Sequence, residues 1–126
     1  MLALKDLPKQ YIDWNEEYHA PYGKKLTFDT VLKRLLPWEA YIKKKGFFSV
    51  QTNNTTRMFE YPWAFYNADL SEGQKVLEIG GGLSGFQFVL DALGCHVVNI
   101  DPGMEAKGKG WLCDNNKTQQ NFWNKC

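Results

Sequence analysis

Histidine and cysteine are scarce in this chain. Its 126 residues hold two histidines, His19 and His96, and three cysteines, Cys95, Cys113 and Cys126. The histidines show no HxxxH or HExxH spacing, and no cysteines pair as CxxC. That pattern excludes a disulfide framework and a zinc cluster, so no metal site is expected. Reduced, inert thiols and a cytoplasmic location are the matching expectation. Long apolar runs are also missing: none reaches the roughly 20 residues that span a bilayer. The opening MLALKDLPKQ lacks the basic stretch and apolar core of a secretory leader. No membrane partner is expected. Nor does charge of one sign dominate, since fifteen Lys/Arg oppose fourteen Asp/Glu for a net +1. A nucleic-acid footprint is therefore not indicated. The 44% hydrophobic and 23% charged fractions are those of a folded globular chain, of a length that suits one domain.

Aromatic residues are plentiful but unevenly placed. Residues 1–70 hold fourteen of the nineteen and read as a helical, aromatic-rich cap or lid segment; residues 71–126 read as a nucleotide-binding half. Thr27 is placed to cap a helix in which Phe28, Val31, Leu32, Leu35 and Leu36 recur at helical spacing. Pro37 ends that helix and opens Trp38–Lys45, which carries Lys43–Lys45 in its last turn and Gly46 beyond. The lysine run reads as a solvated helix end before it reads as a phosphate contact. Phe47–Gln51 reads as a short strand and Asn53–Thr56 as a turn. Arg57–Ala68 reads as a helix with Pro62 in or near its first turn. Tyr11, Trp14, Tyr18 and Tyr22 suit a core before a lid. His19 is a candidate general base by residue type, although a lone loop histidine is seldom one.

The second half is more specific. Lys75–Ile79 (KVLEI) is a short apolar run, read as a buried strand. Gly80–Gly85 (GGGLSG) follows at once. Phe86, Val89, Leu90 and Leu93 then form a helical stripe closed by Gly94. His96–Ile100 (HVVNI) is a second strand, ending at Asp101-Pro102-Gly103. Strand, glycine loop, helix, strand and acid form the first βαβ unit of a nucleotide-binding α/β fold. Gly80, Gly82 and Gly85 satisfy G-x-G-x-x-G, and Asp101 stands where a carboxylate would meet two ribose hydroxyls. The plain alternatives are a tight turn for the glycines, a solvated strand end for Glu78 and a turn cap for Asp101.

Glu78 decides between ligands. A dinucleotide would set its pyrophosphate at this loop and helix start. A carboxylate at about 4 Å would oppose it by roughly 1 kcal/mol in water and about 4 kcal/mol at an effective dielectric of 20. S-adenosylmethionine carries no phosphate, but it does carry an ammonium and a sulfonium. The charge pattern favours it over NAD. Val76–Gly82 (VLEIGGG), with Asp101 after the second strand, resembles motifs I and II of the class I S-adenosylmethionine-dependent methyltransferases over about residues 74–103. The resemblance implies an incomplete Rossmann-like doubly wound sheet, preceded by an N-terminal helical segment that caps the cofactor. It implies cofactor contacts from Glu78, Gly80, Gly81, Gly82 and Asp101, and more weakly from Leu83, Ser84, Pro102 and Gly103. Arg57, in the segment with Glu60, Tyr61 and Trp63, is a candidate for the cofactor carboxylate; a packed helix with a surface ion pair is its plain reading.

A whole domain of that family has more strands than the two readable here. The expectation is therefore an N-terminal portion with an open sheet edge, covered by the N-terminal helices or paired with a second copy. In-line methyl transfer rests largely on proximity and alignment, so no catalytic residue is named, nor is an acceptor. A cofactor-binding or interaction fragment without turnover is the alternative, and an NAD-binding Rossmann protein a weaker one.

Overall fold

The structure, a computed structural model, describes residues 6–49 and 53–101. Four helices come first: α1 (Lys9–Tyr18), α2 (Asp29–Leu35), α3 (Trp38–Lys45) and, after a 3-10 turn at Phe47–Ser49, α4 (Arg57–Asn67). Then follow β1 (Lys75–Ile79), α5 (Gly85–Ala92) and β2 (His96–Ile100). The strands pair in parallel, from Lys75 opposite His96 to Ile79 opposite Ile100. The class is mixed helix and parallel sheet, broadly α/β. No helix among the described residues is long and apolar enough to cross a membrane.

Helices α1 and α4 are joined through a backbone defect. Pro62 is the sixth residue of α4, one turn deeper than the sequence suggests. It has no N–H to offer the carbonyl four residues back, that of Met58. Asn15 of α1 fills the vacancy. Its Nδ2 donates to Met58 O at 2.7 Å and to Tyr11 O at 2.7 Å, from a residue only 4% exposed. A buried carbonyl without a donor would be costly, so this amide holds α4 in register against α1.

The core is aromatic, and both halves of the chain contribute to it. Trp14, Phe48, Tyr61 and Val89 are buried together, with Tyr18, Phe65 and Phe86 packed around them. Tyr61 stacks on Phe86 at 5.4 Å and 7°. Trp14 meets Phe48 edge-on at 6.0 Å and lies tilted 5.6 Å from Phe65. Such pairs add about 0.5–1.5 kcal/mol each beyond their buried area. Gly85 permits the closest approach: a Cβ there would stand 2.6 Å from the Phe48 ring. The start of α5 thus sits directly on the 3-10 turn.

Three expectations are corrected. Thr27 does not cap α2. Phe28 is the N-cap, at φ 62°, with no side-chain cap bond. Of the α2 stripe, Phe28, Val31 and Leu35 are exposed, whereas Leu32 and Leu36 are half-buried. Helical periodicity reports a face but not what lies opposite it. Phe47–Ser49 is a 3-10 turn rather than a strand. The turn is closed by the N–H and hydroxyl of Ser49, both donating to Gly46 O. Val50 and Gln51, also assigned to that strand, lie outside the described residues. Finally, β1 is buried on one face only. Leu77 and Ile79, with Val98 and Ile100 of β2, form an exposed apolar face, because α5 covers one side of a two-stranded sheet.

The Asn15 bridge gives a stability prediction. Asn15→Ala leaves the Met58 carbonyl without its donor, while Tyr11 O keeps its helical one, and should lower the unfolding free energy by about 1–3 kcal/mol in a denaturant titration. An unchanged midpoint would show that the carbonyl freed by Pro62 needs no partner.

Candidate functional site

The glycine loop is held from three sides at Gly82. Its N–H donates to Asp101 Oδ2 at 2.9 Å. Its carbonyl accepts from Asn99 Nδ2 at 2.8 Å and from Gln87 Nε2 at 3.3 Å. Gly82 is buried at φ 55°, a conformation that favours glycine. Gly80 N–H, one residue past β1, donates to Ile100 O at 2.7 Å, which extends the strand pairing into the loop. Ser84 caps α5, its Oγ accepting from Phe86 N–H at 3.1 Å. Among the described residues, no acceptor meets the N–H groups of Gly81 and Leu83. These amides, beside the positive end of a helix, suit a ligand carboxylate.

Glu78 reaches over this loop. A Cβ on Gly81 would stand 2.3 Å from Glu78 Cδ and 2.6 and 2.7 Å from its oxygens. Gly81 therefore makes room for the acid above it, and a side chain there would displace the Glu78 carboxyl. Glu78 Oε2 is buried, and among the described residues no donor meets it. Burial pushes the Glu78 carboxyl above its usual range; Ser84 and Arg57 pull it back, and the charge of Asp101 pushes it further up. The site holds two neighbouring carboxylates, one incompletely solvated. That is a field for a cation.

Helix α4 forms the adjoining wall. Ser84 Oγ donates to Tyr61 Oη at 3.3 Å, and Tyr61 Oη donates to Asn53 Oδ1 at 3.2 Å. The Arg57 guanidinium lies 5.6 Å from the Tyr61 ring centroid, and Arg57 also pairs with Glu60. Its charge acts on both Glu78 and Tyr61. Burial raises the Tyr61 hydroxyl most; Ser84 and Arg57 lower it, and Glu78 and Glu60 raise it. Tyr61 thus links α4 to the α5 cap.

The structure brings Arg57, Glu78, Gly80, Gly81, Gly82, Ser84 and Asp101 together. Pro102 and Gly103 lie outside the described residues. His19 is elsewhere, at the C-cap of α1, beside a cavity of about 390 Å³ also lined by Glu17, Tyr18, Lys43 and Phe47. No glycine-loop residue lines that cavity. Two residues that the glycine spacing does not single out, Gln87 and Asn99, complete the clamp. Asn99 Nδ2 also donates to Gln87 Oε1 at 3.2 Å. Their only trace in the sequence is polarity inside apolar elements, FQFVL and HVVNI. Comparison with family models, curated proteins and solved structures finds no match to the chain.

Glu78 yields a pH prediction. Its folded pKa lies above the ordinary 4.5. Its contribution to stability is full below the ordinary value and is lost as pH rises through the raised one. Glu78→Gln should therefore raise the melting temperature near neutral pH and flatten the loss of stability between acid and neutral pH. A lower neutral melting temperature in the variant would refute this strain.

Proposed function

We propose that this chain binds S-adenosylmethionine at the glycine loop, as the cofactor-binding portion of a Rossmann-like, class I methyltransferase. The observation that carries the reading is the Glu78 carboxyl, seated over Gly81 with a buried oxygen that no described donor meets, next to Asp101. A pyrophosphate would meet two carboxylates here, whereas a ligand with ammonium and sulfonium charges relieves both. When bound, the cofactor supplies an electrophilic methyl group on sulfur.

Each residue of the chain then has a task that its chemistry suits. Glu78 attracts the cationic end of the ligand. The Gly81 and Leu83 amides and the start of α5 receive its carboxylate, with Arg57 adding positive charge nearby. Asp101 keeps its carboxylate at the end of β2, where Gly82 N–H donates to Oδ2, and a carboxylate there suits ribose hydroxyls. Methyl transfer from such a site needs alignment more than a catalytic base. The acceptor would be bound by other groups.

Calorimetric titration with S-adenosylmethionine, S-adenosylhomocysteine and NAD tests the reading. Saturable binding of the first two and none of NAD is expected. Glu78→Ala and Asp101→Ala should each weaken S-adenosylmethionine at least about tenfold, equivalent to about 1.4 kcal/mol. Wild-type affinity should also fall as acid protonates Glu78. Tight NAD binding, or variants that bind like wild type, would overturn the assignment.

A further inference from the structure

The outer face of α2 is apolar and exposed, and the segment that carries it is basic. Phe28 is 76% exposed, Leu35 73% and Val31 50%. Helical spacing sets these three side by side. Residues 24–45 carry seven Lys/Arg against Asp29 and Glu39, although the whole chain balances to +1. Lys24, Lys25, Lys33, Arg34, Lys43 and Lys44 are all exposed. Asp29 is already paired, accepting from Tyr41 Oη at 2.8 Å and from Lys45 Nζ at 2.5 Å, so its charge is matched chiefly by Lys45.

We propose that this face docks the protein on an anionic lipid surface, with Phe28, Val31 and Leu35 entering the headgroup boundary and the surrounding cations meeting lipid phosphates and carboxylates. The proposal is independent of the cofactor reading. A second copy is a poor occupant, because two such faces would bring like charges together. A lipid surface accepts a protruding apolar wedge and scattered cations at once, and long Lys and Arg stems let their charges stay at the interface. The lack of a spanning apolar run is no obstacle, since surface docking needs none.

The test is co-sedimentation of the whole chain with sucrose-loaded vesicles, phosphatidylcholine alone against phosphatidylcholine with phosphatidylserine. Binding is expected only with phosphatidylserine, and it should weaken as salt rises. Lys24→Glu with Lys25→Glu should lower partitioning roughly tenfold or more. Phe28→Ser with Leu35→Ser should lower it at least about tenfold. Both pairs are exposed, so the far-ultraviolet circular dichroism melt should not move. Equal binding to both vesicle types, or a wild-type partition shared by either double variant, would overturn the proposal. So would binding to polyglutamate without binding to vesicles, which would assign the face to an acidic polypeptide.

Discussion

The backbone of Gly82 is the point on which the candidate site depends. Its N–H is held by the acid at the end of β2, and its carbonyl by Asn99 of β2 and Gln87 of α5. One residue therefore fixes the loop relative to a strand and a helix at once. With those three bonds in place, the loop cannot slide along α5 without leaving buried polar groups unpaired. Glu78 and Asp101 are then held on neighbouring strand ends, near enough for the charge of Asp101 to push the Glu78 carboxyl up. That proximity is a cost in the free chain and, under the proposed function, the source of affinity for a cation.

The helical half supports this arrangement rather than standing apart from it. Phe48 lies against Gly85, and Tyr61 meets Ser84 and stacks on Phe86, so α5 is positioned from outside the βαβ unit. Two parallel strands are marginal by themselves and gain stability from packed helices. Here α5 packs on β2 and the aromatic core packs on α5. The register of α4, which delivers Tyr61 and Arg57, depends in turn on Asn15 meeting the carbonyl that Pro62 leaves open. Stability and site geometry thus share a chain of contacts from α1 to the glycine loop.

Local patterns were legible where short-range chemistry decides. The glycine loop, the capped helix after it and the β1–α5–β2 order follow from glycine placement and apolar spacing within about thirty residues. The helix at Trp38–Lys45 and its closing Gly46 were equally readable. Phe47–Ser49 was misread because two adjacent phenylalanines suit a strand by propensity, whereas a strand also needs an edge to pair with. Gln87 and Asn99 escaped notice because a polar residue in an apolar element looks like a solvated position until its partner is seen.

By itself the sequence determined the order of β1, α5 and β2, the identity of the loop and the acids placed at its strand ends, since these depend on residues close along the chain. Tertiary structure alone decided which apolar stripes become core. Val89 and Leu90 of the α5 stripe are buried, whereas Phe28, Val31 and Leu35 of the α2 stripe face outward, though both stripes repeat at helical spacing. It alone showed that Gly81 makes room for Glu78, that Asn15 answers Pro62, and that Arg57 and Tyr61 stand beside the loop. The last two join residues distant in sequence, and burial, desolvation and hydrogen-bond satisfaction exist only once such residues are brought into contact.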